Sequence, residues 1–180
     1  DLALGSIKIA ASITETPAAM YATREYAEDY PGRERLVGLS WGAEDLSSAL
    51  GAQEQRGPDG EYTQVYEMAR SLCLLASVNA GVIPLETVQP EFRDLDALET
   101  RAKRCRAAGF RGLLAIHPAQ IGPINAAFTP SAEEIAHARS VVQAFAENPG
   151  AGTIAIDGAL LDRPHLALAQ RLLAEAGASG

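Results

Sequence analysis

The chain has 180 residues, 47% of them hydrophobic and 21% charged, with a formal net charge of −8 at pH 7. These values are typical of a globular domain with a substantial buried core. Acidic and basic residues are interleaved, which argues against a nucleic-acid-binding protein, because that class carries a basic stripe, and against a protein that binds anionic membranes. No run approaches the roughly 20 apolar residues of a membrane span, and we expect no signal peptide.

Four short apolar runs predict buried strands at residues 7–13, 36–41, 82–88 and 113–116. Their hydrophobicity is nearly continuous rather than alternating, which is typical of parallel strands covered on both faces. The helices predicted between them cover residues 17–28, 61–80 and 95–108. Thr16 is the expected N-cap of the first helix and Pro17 its first residue.

After the fourth strand the alternation stops. Residues 131–134 (SAEE) form a capping box that opens another helix. A short strand is predicted at residues 153–156 and a last helix at residues 164–175. The expected domains are therefore residues 1–130 and a C-terminal helical segment of residues 131–180.

Strands that alternate with helices imply right-handed βα units. Four parallel strands alone would leave both sheet edges open, and a closed eight-stranded barrel needs about 250 residues. The predicted fold is α/β, the C-terminal half of a TIM-type (β/α)8 barrel plus a C-terminal helical extension. A complete doubly wound domain is the alternative, weakened by the lack of a Gly-rich phosphate loop after the first strand. The chain begins with Asp1 rather than Met, so we expect the true N-terminus elsewhere.

Acidic residues leave the first two predicted strands at the end where parallel α/β folds carry their active sites. These residues are Glu15, Glu44 and Asp45. Converging acids without a nearby Lys or Arg favour a hard cation, and Mg²⁺ needs only one or two protein carboxylates. Two simpler interpretations stay open. Glu15 could be an acid in the first turn of the following helix, and Asp45 could be a helix cap.

Other reactive side chains favour structural roles. His117, which precedes Pro118, is expected to be a structural hydrogen-bond donor in a tight turn rather than a metal ligand. Cys73 and Cys105 lie in helical patterns and are interpreted as small buried hydrophobic residues, which fits a cytoplasmic protein. No zinc-ligand spacing and no nucleophile elbow occur.

Several ordered motifs resemble the citrate lyase β-subunit-like family, within the HpcH/HpaI aldolases that include malyl-CoA and citramalyl-CoA lyases. The motifs are residues 11–17 (ASITETP), 42–46 (GAEDL), 109–112 (GFRG), 116–121 (IHPAQI) and 128–131 (FTPS). The similarity covers essentially the whole sequence, in the order of the family. It implies a TIM-type barrel of which this chain holds strands five to eight.

The resemblance also implies a set of site residues. Glu15 and Asp45 match the family's Mg²⁺ ligands, whereas Glu44 is not assigned as one. Asp162, in residues 156–164 (IDGALLDRP), matches a catalytic aspartate that reaches into a neighbouring subunit. The structural alternative is that Asp162 caps the last helix. Glu86 stands where relatives usually carry aspartate, and its role is left open.

The implied activity is Mg²⁺-dependent carbon–carbon cleavage of a β-hydroxyacyl thioester, similar to citryl-, malyl- or citramalyl-CoA, into an acetyl thioester and a 2-oxo acid. The alternatives are an acyl-CoA thioesterase, a malate-synthase-like condensation, or a non-catalytic truncated paralogue. The implied partners are the thioester, on CoA or an acyl carrier protein, the 2-oxo acid and further copies of the chain in a trimer or larger homo-oligomer. Relatives grip the substrate with an arginine from the N-terminal half.

Overall fold

The computed structural model describes residue 3, residues 5–156 and residues 158–178. The chain forms two compact units, Asp1–Phe128 and Thr129–Gly180. The sequence placed this division between residues 130 and 131. Among the described residues, no helix combines the length and the apolar character needed to cross a bilayer.

The first unit contains a four-stranded sheet, and its strands follow one another in chain order. They are β1 (Ile9–Ile13), β2 (Leu36–Trp41), β3 (Ile83–Glu86) and β4 (Gly112–Leu113). Each neighbouring pair is parallel, so the predicted α/β architecture with a parallel sheet is confirmed. Residues 114–116 of the fourth predicted strand lie beyond the end of β4. The backbone N–H of Ile116 donates to the Gln120 side chain at 2.9 Å. This N–H therefore does not bond to a neighbouring strand.

Five helices connect or follow these strands. They are α1 (Pro17–Tyr21), α2 (Ala43–Leu50), α3 (Gln64–Asn79), α4 (Leu95–Ala108) and α5 (Ile121–Phe128). The single helix predicted over residues 17–28 is wrong: α1 is followed by a separate 3-10 turn at Thr23–Ala27. Because the Thr23 hydroxyl donates to the Met20 carbonyl at 3.3 Å, a local side-chain bond competes with the α-helical pattern at the break.

The sheet buries one face against helices and leaves part of the other face open. Leu39 and Trp41 of β2 are almost completely buried and form one core with Tyr66 and Cys73 of α3. The side chains of a strand alternate between its two faces. On the opposite face Ser12 is exposed and Ile83 is 48% exposed. The helices of the first unit therefore cover the sheet mainly on one side.

The second unit packs two helices with a β-hairpin. Its elements are α6 (Ala132–Glu147), β5 (Thr153–Ile156), β6 (Ala159–Asp162) and α7 (Arg163–Ala178). Strands β5 and β6 are antiparallel, with Ile156 opposite Ala159. Sequence reasoning missed β6, although Asp157-Gly158 is a dipeptide favoured in hairpin turns and Gly158 has φ +82°. Asp157 lies outside the described residues. The unit's core includes Phe145 and Leu161.

Candidate metal centre and acid–base residue

The candidate metal ligands follow two strands that end side by side. Ile13, the last residue of β1, pairs with Trp41, the last residue of β2, in a parallel register. Glu15 therefore leaves the sheet beside the Gly42 backbone, and Asp45 follows three residues after Gly42. The parallel register gives both acids a starting point at the same edge of the sheet.

The side chain of Glu15 is held over Gly42. A Cβ atom on Gly42 would lie 2.6 Å from Glu15 Cγ and 2.8 Å from its Oε1, so only glycine leaves room for this approach. The preceding Thr14 is completely buried and has φ +63°, a left-handed conformation that costs roughly 1–2 kcal/mol for a residue with a side chain. Its hydroxyl donates to the Ile13 carbonyl at 2.5 Å. A strained, buried turn thus directs Glu15 toward the start of α2, and such strain concentrates at functional sites.

Asp45 is exposed in the first turn of α2 and does not cap it. The N-cap is Gly42, with no capping bond from a side chain, so the capping interpretation of Asp45 is wrong. The first-turn interpretation of Glu15 is also wrong, because the first turn of α1 holds no acid and its N-cap is Thr16, whose hydroxyl accepts from the Ala19 N–H at 3.2 Å. Glu44 is exposed beside Asp45.

The carboxylates of Glu15 and Asp45 keep their oxygens available. Within the part of the chain that the structure describes, neither accepts a hydrogen bond nor forms a salt bridge. That part also contains no group of three or more His, Cys, Asp or Glu side chains placed to hold a metal. Two unpaired carboxylates still fit Mg²⁺, which completes its shell with water and substrate oxygens, but do not fit a closed structural zinc site.

Glu86, whose role the sequence left open, is a buried ion-pair centre at the end of β3. Its side chain is fully buried. Five groups donate hydrogen bonds to its carboxylate: Trp41 Nε1 at 2.6 Å, Arg70 Nε at 2.7 Å, the Thr87 N–H at 2.9 Å, Arg101 Nη2 at 3.2 Å and Cys105 Sγ at 3.3 Å. Both of its oxygens are therefore engaged by protein, which leaves Glu86 a structural role.

The charge of Glu86 is stabilised by its partners. Burial raises the pKa of Glu86, but the guanidinium groups of Arg101 and Arg70 and the hydrogen bonds from Arg70 and Trp41 outweigh burial and hold this pKa below its ordinary range. Trp41 immediately precedes Gly42. The hydrogen bond from Trp41 to the Glu86 carboxylate thus fixes the end of β2, next to the glycine that the Glu15 side chain contacts.

His117 and the two cysteines have structural surroundings. His117 Nδ1 accepts from the Ala119 N–H at 3.1 Å, and its ring stacks on Phe92 with centroids 4.5 Å apart. Cys73 and Cys105 are free and buried. Burial raises the pKa of the Cys73 thiol to about 12 and that of the Cys105 thiol to about 11, so both stay protonated at neutral pH. The turn position expected of His117 and the buried role expected of the cysteines match these contacts, but the expectation that His117 donates in the turn is wrong, because its Nδ1 accepts.

Asp162 ends β6 and directly precedes α7. Its Oδ1 lies 2.5 Å from His165 Nδ1, and both side chains are about half exposed, at 49% and 50%. The hydrogen bond from His165 is the main cause that holds the pKa of Asp162 below its ordinary range. Asp162 belongs to the second unit, whereas Glu15 and Asp45 belong to the first.

Sequence reasoning missed Thr14, Gly42 and His165. The spacing Asp162-x-x-His165 is visible in the sequence, and it places the two side chains on one side of a first helical turn. The sequence indicates Gly42 less clearly, because the only sign is a glycine between a predicted strand and two acidic residues. The φ of Thr14 has no signal in the sequence, because threonine rarely adopts that conformation.

Comparisons with known proteins agree on one family. The family model described as HpcH/HpaI aldolase/citrate lyase matches residues 3–118. A citrate lyase subunit beta-like protein of Mycobacterium tuberculosis is 36% identical over 166 residues, which cover 92% of this chain and 59% of the relative. A (3S)-malyl-CoA thioesterase of Cereibacter sphaeroides is 34% identical over 176 residues, which cover 94% of this chain and 60% of the relative.

A solved structure shares the fold. The crystal structure of CitE from Mycobacterium tuberculosis, in complex with magnesium, acetoacetate and coenzyme A, superposes with a TM-score of 0.75 at 35% identity. The match covers 90% of this chain and 58% of CitE. The chain thus spans about three-fifths of the length of the relatives that it matches.

Proposed function

Because the chain belongs to the HpcH/HpaI aldolase/citrate lyase family, we propose that it takes part in Mg²⁺-dependent carbon–carbon cleavage of a β-hydroxyacyl thioester. The products would be an acetyl thioester and a 2-oxo acid. The observation that carries this proposal is the placement of Glu15 and Asp45. Both follow adjacent parallel strand ends, and neither has a protein partner among the described residues.

In this proposal Glu15 and Asp45 hold Mg²⁺. When bound, Mg²⁺ would supply a Lewis acid for a carbonyl or carboxylate oxygen of the substrate. The M. tuberculosis relative was solved with magnesium, acetoacetate and coenzyme A, which supports a small-molecule thioester as the ligand class. Residues 14–15 and 42–45 orient the two carboxylates through the turn at Thr14 and the close approach at Gly42.

Asp162 is the proposed acid–base residue. In the cleavage direction the β-hydroxyl loses its proton as the carbon–carbon bond breaks, and the acid form of Asp162 would give a proton to the acetyl-thioester carbon. In the condensation direction the carboxylate form would remove that proton. The lowered pKa of Asp162 favours the carboxylate at neutral pH, which is the form that the condensation direction needs. We further propose that Asp162 acts in the site of a neighbouring subunit, in a trimer or larger homo-oligomer, and that residues 131–180 pack there.

We also propose that residues 1–130 are the second half of a (β/α)8 barrel. The exposed Ile83 and Ser12 support this, because parallel sheets are ordinarily covered on both faces. The remaining strands of a family barrel would cover that face. The two buried free thiols support a reducing compartment such as the cytoplasm.

The metal site is tested by Asp45→Asn and Glu15→Gln. Each substitution removes a charged ligand, so we expect Mg²⁺ affinity to fall by more than about tenfold and lyase activity to fall with it. Isothermal titration calorimetry measures the first effect, and release of the 2-oxo acid measures the second.

Glu44→Gln is the matched control, because it neutralises the exposed acid beside Asp45 without removing a proposed ligand. It should leave both quantities within about twofold of the unmodified protein, a change of about 0.4 kcal/mol. Full activity together with unchanged Mg²⁺ affinity in Asp45→Asn would show that the proposed site is wrong.

Thioester hydrolysis is the second candidate function, favoured by the malyl-CoA thioesterase relative. The two reactions differ in their products. Cleavage leaves the thioester intact in the acetyl product, whereas hydrolysis releases a free thiol and a hydroxy acid. Product analysis over a panel of malyl, citramalyl and citryl thioesters separates them.

A further inference from the structure

Asp162 has a histidine as its side-chain partner among the described residues. His165 Nδ1 lies 2.5 Å from Asp162 Oδ1 and 3.2 Å from the Asp162 backbone nitrogen. The two residues are three apart, in a segment that passes from β6 directly into α7. Backbone N–H groups of His165 and Asp162 also lower the pKa of this carboxylate, although the imidazole of His165 has the larger effect.

The short contact requires a proton between nitrogen and oxygen. A ring nitrogen and a carboxylate oxygen come this close only when one of them carries a proton, because two lone pairs repel each other. Since the pKa of Asp162 is lowered, that proton belongs to Nδ1. A protonated Nδ1 cannot also accept from the Asp162 N–H, so the contact to Oδ1 is the hydrogen bond and the contact to the backbone is only a close approach.

The charged groups around the pair come from both helices of the unit. Glu134 and His137 of α6 line the same groove as His165. Arg163 of α7 lies over the Phe145 ring, with its guanidinium carbon 5.3 Å from the centroid. Strand β5, which pairs with β6, contributes residues 153–156 (TIAI) and no titratable side chain. His165 is thus the group in direct contact with the carboxylate.

We propose that His165 is a positioning residue, which holds the Asp162 carboxylate in one orientation through the contact between Nδ1 and Oδ1, so that its second oxygen can face the substrate. This inference rests on the proposed acid–base role of Asp162. In the condensation direction, the C–H bond of the acetyl thioester breaks and an O–H bond forms at Oδ2. His165 keeps its Nδ1 proton throughout, so no proton is transferred within the pair.

A purely structural role makes a different prediction. A residue in the third position of a helix can return its side chain to the N-cap N–H and stabilise the helix start. If His165 did only that, its loss would weaken α7 but would change neither the protonation of Asp162 nor the rate of proton transfer. Protonation and rate therefore decide between the two roles.

The test compares His165→Ala with His165→Asn in the complete protein. Asparagine keeps an N–H donor near the position of Nδ1, and alanine does not. We expect His165→Ala to raise the Asp162 pKa toward the unperturbed value of about 3.9, as measured by carboxyl ¹³C NMR titration with Asp162→Asn for assignment. In the condensation direction we expect kcat to fall by about tenfold to a hundredfold, the loss typical of a misplaced catalytic group, with KM unchanged and partial rescue in His165→Asn.

His137→Ala is the matched control, because it removes a histidine from the same groove that has no contact with Asp162, and it should change neither readout. An unchanged Asp162 pKa in His165→Ala overturns the inference whether or not the protein is a lyase. Full activity in Asp162→Asn overturns the proposed acid–base role instead. The NMR titration still reports on the pair in that case, so the two failures are distinguishable.

Discussion

Gly42 determines where the Glu15 carboxylate can lie. A methyl group at this position would stand 2.6 Å from Glu15 Cγ, while the φ of −115° is accessible to alanine. In Gly42→Ala the flexible Glu15 side chain should therefore move and the backbone should stay. We expect Mg²⁺ affinity, measured by calorimetry, to fall by more than about tenfold, with less than about 1 kcal/mol lost from the free energy of unfolding.

Gly150→Ala provides the comparison, because a Cβ there would meet no atom within 4 Å. It should leave Mg²⁺ binding unchanged. If Gly42→Ala binds Mg²⁺ as the unmodified protein does, the close approach between Gly42 and Glu15 has no part in the metal site.

Three elements of the first unit are joined through one carboxylate. Glu86 of β3 pairs with Arg70 of α3 at 2.7 Å and with Arg101 of α4 at 3.2 Å, and the two arginine side chains are only 21% and 17% exposed. Glu86→Gln would remove the buried counter-charge of two largely buried guanidinium groups, and of its described ion pairs Arg70 would keep only the more exposed one with Glu67, at 3.6 Å. We expect a loss of about 3 kcal/mol in the free energy of unfolding, measured by urea denaturation at pH 7.

The control is Glu99→Gln, which removes an exposed ion pair with Lys103 within α4 and should cost less than about 1 kcal/mol.

The pH dependence of the stabilisation by Glu86 has a definite sign. The pKa of Glu86 is lower in the folded state than the unfolded value of about 4.3, so its stabilisation is complete above that value and is lost as the pH falls through the folded pKa. A difference between Glu86→Gln and the unmodified protein that stays constant from pH 7 to pH 3 would contradict this account.

The whole molecule bears its proposed metal ligands in one unit and its proposed acid–base residue in the other. If Asp162 acts in a neighbour's site, Asp45→Asn removes a metal ligand of that site. Asp162→Asn removes the acid–base residue that another subunit donates to it. Co-expressed, these two inactive variants should form mixed oligomers with some complete sites. We expect lyase activity to return to a measurable fraction of the unmodified level, with subunit composition checked by mass spectrometry.

Co-expression of Asp45→Asn with Glu15→Gln is the negative control, since both changes damage the same metal site and no mixed site is repaired. Activity that fails to return in the first mixture, although mixed oligomers form, would mean that Asp162 does not act between subunits. An active monomer would lead to the same conclusion.

Much of the fold was predictable because its signals are local. The apolar runs located β2 at its observed bounds, and the capping box at Ser131 marked the start of α6. The positions of Glu15 and Asp45 at strand ends follow from the same patterns. The break after α1 and the strand β6 were missed, because a side-chain hydrogen bond and a two-strand pairing decided them.

Local sequence therefore determined the elements of this protein, their order, and which acids leave the sheet at its carboxyl edge. Tertiary structure alone decided the surroundings of those acids. The partners of Glu86 lie 15, 16 and 45 residues away at Arg101, Arg70 and Trp41, and the chain between them carries no sign of the pairing. A carboxylate becomes a buried ion pair or a free ligand according to which charges the packing brings within hydrogen-bonding distance, and no local pattern encodes that distance.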